Sequence, residues 1–70
     1  METLHGVNIE RFAGILAKRW KRDRNRRACD LPELKSLSRY SEGLYRNDQS
    51  EVCQAIERQA RKLFKQEQVA

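Results

Sequence analysis

Cations are the residues of this chain best placed to do chemistry. Lys18-Arg19-Trp20-Lys21-Arg22-Asp23-Arg24-Asn25-Arg26-Arg27 holds seven lysines and arginines and a single aspartate. Its net charge is +6, whereas the whole 70-residue chain carries +5, so everything else sums to −1. Positive charge is therefore a local feature of one segment. Clustered Lys and Arg attract phosphate backbones by releasing condensed counterions, and Arg adds bidentate contacts to phosphate or guanine. A second cationic set, Arg58, Arg61, Lys62 and Lys65, recurs at i, i+3, i+4 and i+7. That spacing lines one face of a helix. In composition the first stretch resembles the arginine-rich motifs of RNA-binding peptides; the likeness covers a seventh of the chain.

Other chemistries find little support. The one histidine, His5, precedes the first expected helix and reads as a surface residue beside the helix start. Two cysteines, Cys29 and Cys53, have no evident base nearby in sequence. With one distant histidine they do not supply the four ligands of a structural metal site, so no metal and no cofactor is expected. No glycine-rich phosphate loop or paired-carboxylate pattern occurs, and no enzyme activity is expected. Two buried thiols in a reducing compartment are the simplest reading of the cysteines, which suits a cytoplasmic protein; a Cys29–Cys53 bridge does not follow from the sequence.

Helices must position these residues. Ala, Leu, Glu, Gln, Lys and Arg dominate, with one Pro and three Gly, and such side chains lose little rotamer freedom in a helix. Asn8 is a suitable N-cap, with Val7 and Phe12 at the two positions of a hydrophobic staple. Ile9, Phe12, Ala13, Leu16 and Trp20 then recur on one face; Gly14 and Ile15 lie off it, Ile15 suggesting a second contact. Extended past Trp20, that face would carry Arg24 and Arg27. Burying an unpartnered guanidinium is too costly, so this segment must project into water or meet an anion. Asp30-Leu31-Pro32-Glu33 resembles a helix start with a capping box, followed by Leu31, Leu34, Leu37, Tyr40 and Leu44 on one face. Asn47-Asp48 reads as a turn. Val52, Cys53, Ile56, Ala60, Leu63 and Phe64 form the cleanest stripe, opened by Asp48 or Ser50. Asn-Gly and Asp-Gly hairpin signals are absent.

The chain is thus expected to be one all-α domain over residues 1–70, a small three-helix bundle with helices over 8–27, 31–45 and 49–66. A domain of this size buries only about 60% of its unfolded surface, and its three apolar stripes leave room for a helical homodimer. No run of residues has the length of a membrane span, and a membrane role is not expected. The expected function is a small nucleic-acid-binding regulator, for DNA or RNA. Its contacts would be Lys18, Arg19, Lys21, Arg22, Arg24, Arg26 and Arg27, with Arg58, Arg61, Lys62 and Lys65 as a second phosphate-contacting face. Trp20 belongs to the core on this reading, since it lies on the apolar face. The competing expectation is an adaptor or inhibitor that docks a helix face on an acidic protein, with Tyr40, Tyr45 and Arg46 among its contacts.

Overall fold

The computed structural model describes residues 3–25 and 27–69, except for the side chains of Arg39 and residues 67–69. It is mostly helical, and two long helices dominate it. In chain order the elements are strands β1 (Thr3–Leu4) and β2 (Val7–Asn8), helix α1 (Ile9–Asp23), a 3-10 turn (Ala28–Asp30), the single-turn helices α2 (Pro32–Lys35) and α3 (Ser38–Ser41), and helix α4 (Arg46–Val69). The long dimension of 38 Å matches α4, whose 24 residues span about 36 Å at 1.5 Å each.

The start of α1 follows the expectation closely. The Asn8 side chain accepts from the Arg11 amide at 3.1 Å, and Val7 and Phe12 are both buried. A short antiparallel hairpin precedes it, pairing Thr3 with Asn8 and Leu4 with Val7. Its turn is His5-Gly6, with φ of 52° and 81°. Both residues are in the left-handed region that a type I′ turn demands. The hairpin carries neither Asn-Gly nor Asp-Gly, because a histidine takes the place of the usual asparagine.

The end of α1 corrects the expected helix over 8–27. The helix stops at Asp23, and Arg24 adopts the left-handed conformation with φ 58° and ψ 23°. Its amide closes onto the Trp20 carbonyl at 3.0 Å. The cause is the one that the apolar pattern implies: after Trp20 no residue suits a place on the buried face. The chain leaves the helix before Arg24 and Arg27 reach that face.

The expected helix over 31–45 is also corrected. In its place stand the 3-10 turn, α2 and α3, joined by tight turns. Ala28, Leu31, Leu34, Leu37 and Tyr40 recur every three residues, the period of a 3-10 helix and not of an α-helix. Four amides bond to the carbonyl three residues back: Asp30 to Arg27 at 3.3 Å, Leu31 to Ala28 at 3.0 Å, Leu37 to Leu34 at 3.1 Å and Tyr40 to Leu37 at 3.1 Å. Serine hydroxyls compete for backbone acceptors here, Ser36 bonding the Glu33 carbonyl and Ser41 the Leu37 carbonyl. Asp30 does not cap α2; its N-cap is Leu31, which makes no side-chain bond, and Pro32 occupies the first turn.

Helix α4 begins at Arg46, earlier than expected, so Asn47-Asp48 lies within its first turn and is not a separate turn. Gln49 secures this elbow. Its side-chain amide donates to the Tyr40 carbonyl at 2.9 Å and the Leu44 carbonyl at 3.2 Å.

Helices α1 and α4 run side by side in the same sense. Ile9 shares a cleft with Ala55, Arg58, Gln59 and Lys62 near the start of α1, while Trp20 near its end stacks on Phe64, with ring centroids 5.2 Å apart and planes 16° from parallel. Leu31 and Leu34 of the crossing segment join Val7, Leu16, Val52 and Ile56 as fully buried side chains. Trp20 and Ile15 pack against this core from its edge. Both cysteines are free, Cys53 buried and Cys29 half-buried. Tyr40, expected among the contacts of an adaptor, is buried instead and places its hydroxyl 3.1 Å from the Cys53 sulfur. Among the described residues no helix is long and apolar enough to cross a membrane.

Two stability measurements check this packing. A Cβ built on Gly14 meets nothing within 4 Å, so Gly14→Ala should add about 0.5–1 kcal/mol by removing unfolded-chain entropy, seen as a higher melting temperature. Burial raises the proton affinity of both Tyr40 and Cys53, and their mutual contact adds to it for Tyr40. The folded chain thus holds these protons at pH values where the unfolded chain releases them. Stability should be constant with respect to these groups below about pH 8 and fall as pH rises through about 8.5–10, the range in which free thiols and phenols ionise. Denaturant unfolding of Cys53→Ala/Tyr40→Phe should lack most of that alkaline loss.

Candidate nucleic-acid interface

The C-terminal turns of α1 present the cations outward. Lys18, Lys21, Arg22 and Arg24 are exposed, and so is Arg27 just before the 3-10 turn. Arg26 lies outside the described residues. Cations at a helix C-terminus are favoured by its partial negative charge, which offsets part of their mutual repulsion.

Among the described residues, three arginines of the stretch meet carboxylates. Arg22 forks onto its neighbour Asp23, with Nε 3.3 and 3.4 Å from the two carboxylate oxygens. Arg27 lies 4.0 Å from Asp30, and its guanidinium is further favoured by the Cys29 sulfur beside it. The side chains of Arg22 and Arg27 are 70% and 73% exposed. Exposed pairs of this kind are screened by solvent and add little, so an outside anion can displace them at small cost. Arg19 differs. It is half-buried and reaches Glu33 of α2 at 3.7 Å. With Ile15, Lys18, Arg22 and Glu33 it lines a cleft of about 320 Å³. This is the second contact that Ile15 suggests, and it gives Arg19 a part in joining α2 to α1.

The second cationic set lies along the outer face of α4, where Arg58, Arg61, Lys62 and Lys65 are all exposed. Arg58 and Lys62 flank the cleft against Thr3, Leu4 and Ile9. Glu57, on the inner side of this row, lies in the field of Arg27 and Arg61 and is partly desolvated, the desolvation winning and raising its proton affinity. The first set thus lies in the last turns of α1, whereas Arg58 and Lys62 of the second stand beside Ile9 at its start. Trp20 has one ring face against Phe64 and serves the core, as its place on the stripe indicates.

A different group assembles at the other end. His5 Nε2 lies 2.9 Å from Glu51 and 3.6 Å from Asp48. Its hydrogen bond to Glu51 is the chief reason its proton affinity is raised. Nothing in the sequence joins His5 to residues more than forty positions away. The connecting signal is the hairpin turn that places His5 beside the start of α4.

Comparison of the chain with protein-family models, with curated protein sequences and with solved structures finds no significant match.

One conformational feature of this surface can be tested directly. Arg24 occupies a left-handed position that suits glycine. Arg24→Gly should stabilise the fold by about 0.5–1 kcal/mol. An unchanged or lower melting temperature would show that the Arg24 side chain itself supports the helix end.

Proposed function

We propose that this protein binds nucleic acid through the cationic later turns of α1 and α4, acting by occupancy and carrying out no chemistry on its ligand. The observation that carries the reading is the exposure of Lys18, Lys21, Arg22, Arg24 and Arg27 around one helix end, in a chain whose residues outside 18–27 sum to −1. The phosphate backbone is the ligand best matched to such a group, since every neutralised phosphate releases a counterion. Arg22, Arg24 and Arg27 are the first contacts, with Arg26 beside them in sequence. Lys18 and Lys21 flank them, and Arg58, Arg61, Lys62 and Lys65 supply a second row. Arg19 is a positioning residue through Glu33.

Binding to duplex DNA and to structured RNA, measured at several salt concentrations, tests the reading. Affinity should fall steeply with salt. Replacing Arg22, Arg24 and Arg27 by Ala should flatten the log–log slope by about 0.9 for each duplex phosphate that is no longer neutralised, with helicity unchanged because none of the three is in the core. Arg24→Gly should raise the melting temperature and weaken binding together. A salt-insensitive affinity, or a triple variant that binds as well as the parent, would refute the assignment.

A protein partner has one observation in its favour. Tyr45 is 83% exposed, the one large apolar side chain so placed among the described residues, and Arg46 follows it at the start of α4. Tyr and Arg are enriched among residues that dominate protein interfaces. On that reading Tyr45→Ala abolishes capture of a protein from nuclease-treated lysate. On the nucleic-acid reading it leaves the salt-dependent affinity unchanged.

A further inference from the structure

The geometry points to a divalent transition-metal site formed by His5, Asp48 and Glu51, zinc being the ion it fits best. The three ligands come from two elements, the imidazole from the β1–β2 turn and the carboxylates from the first turns of α4. Asp48 and Glu51 are three residues apart, which places both on one helix face. The turn then delivers His5 Nε2 to within 2.9 Å of a Glu51 oxygen and 3.6 Å of an Asp48 oxygen. One donor atom from each of the three residues lies within 4.8 Å of the other two.

The two separations from His5 match the edges of a coordination shell. With metal–ligand bonds of about 2.0–2.2 Å, neighbouring donors are about 2.9–3.6 Å apart in octahedral or tetrahedral geometry. A cation bound here replaces the His5–Glu51 hydrogen bond and takes the imidazole with Nε2 unprotonated. The imidazole directs the choice of ion, since a nitrogen donor favours zinc and its first-row neighbours over magnesium and calcium. Two carboxylates outweigh the partial positive charge that the start of α4 sets beside them. A solvent-open cavity of about 670 Å³ borders His5 and is lined also by Ser38, Glu42, Gly43 and Leu44. It opens the His5 side of the site to solvent. A bound ion would fasten the hairpin to α4 at the end remote from the Trp20–Phe64 stack.

Titration of the chelator-treated full chain with zinc, followed by calorimetry, and with cobalt, followed by its visible absorption, tests the site. The expected result is one ion per chain with micromolar affinity, cobalt bands characteristic of nitrogen and oxygen ligation, and loss or shift of the His5 ring resonance alone. Glu51→Gln and Asp48→Asn should each weaken binding at least about tenfold, a loss of about 1.4 kcal/mol, while Cys29→Ser and Glu33→Gln should leave it unchanged. His5→Gln should abolish it, with helicity checked in parallel. If that variant fails to fold, the two carboxylate variants and the His5 resonance of the parent chain decide. Absence of saturable binding below millimolar zinc, a cobalt spectrum with thiolate charge transfer, or loss of binding in Cys29→Ser would overturn the assignment.

Discussion

The apolar face of α1 ends at Trp20, and the rest of the structure follows from that limit. Up to Trp20 each turn of the helix places a residue against α4; beyond it the same face holds arginine. The chain therefore turns away at Arg24, and the next residues can cross over the core as a series of tight turns. Trp20 lying flat on Phe64 fixes how far along α4 the two helices remain together. The arginines beyond are left in water because continued helix would have brought them inside.

The crossing segment shows how a short chain closes a core without a third long helix. Leu31 and Leu34 are completely buried although each belongs to a helix of a single turn or its cap. Spacing by threes lets successive turns put the same side downward, as an eclipsed 3-10 arrangement does. Gln49 supplies donors where the segment meets α4, bonding two carbonyls that no helix would otherwise use. Among the described residues no buried side-chain nitrogen or oxygen lacks a partner.

Much of this is legible in the residues. The Asn8 cap, the Val7–Phe12 staple, the α1 stripe and the α4 stripe rest on local chemistry, and local chemistry is what sequence patterns encode. The place of Trp20 in the core and the outward set of the later arginines are legible for the same reason. The middle segment is not, because spacing of three fits one face of an α-helix over a short window as well as it fits a 3-10 turn; Ser36, Ser38 and Ser41 are the sign of broken continuity. The partner of Arg19 is not legible either, since Glu33 reaches it only through the fold. The same holds for His5, whose neighbours on α4 are set by a hairpin turn carrying histidine where asparagine or aspartate is usual.

Helices pointing the same way have a collective consequence. Glu10, Asp48 and Glu51 stand near the two helix starts, while the cationic rows occupy the later turns, with Arg11 and Arg46 tempering the contrast. The peptide dipoles of the two helices add instead of cancelling, and Lys21 and Arg22 in the last turn of α1 answer the negative end of its own.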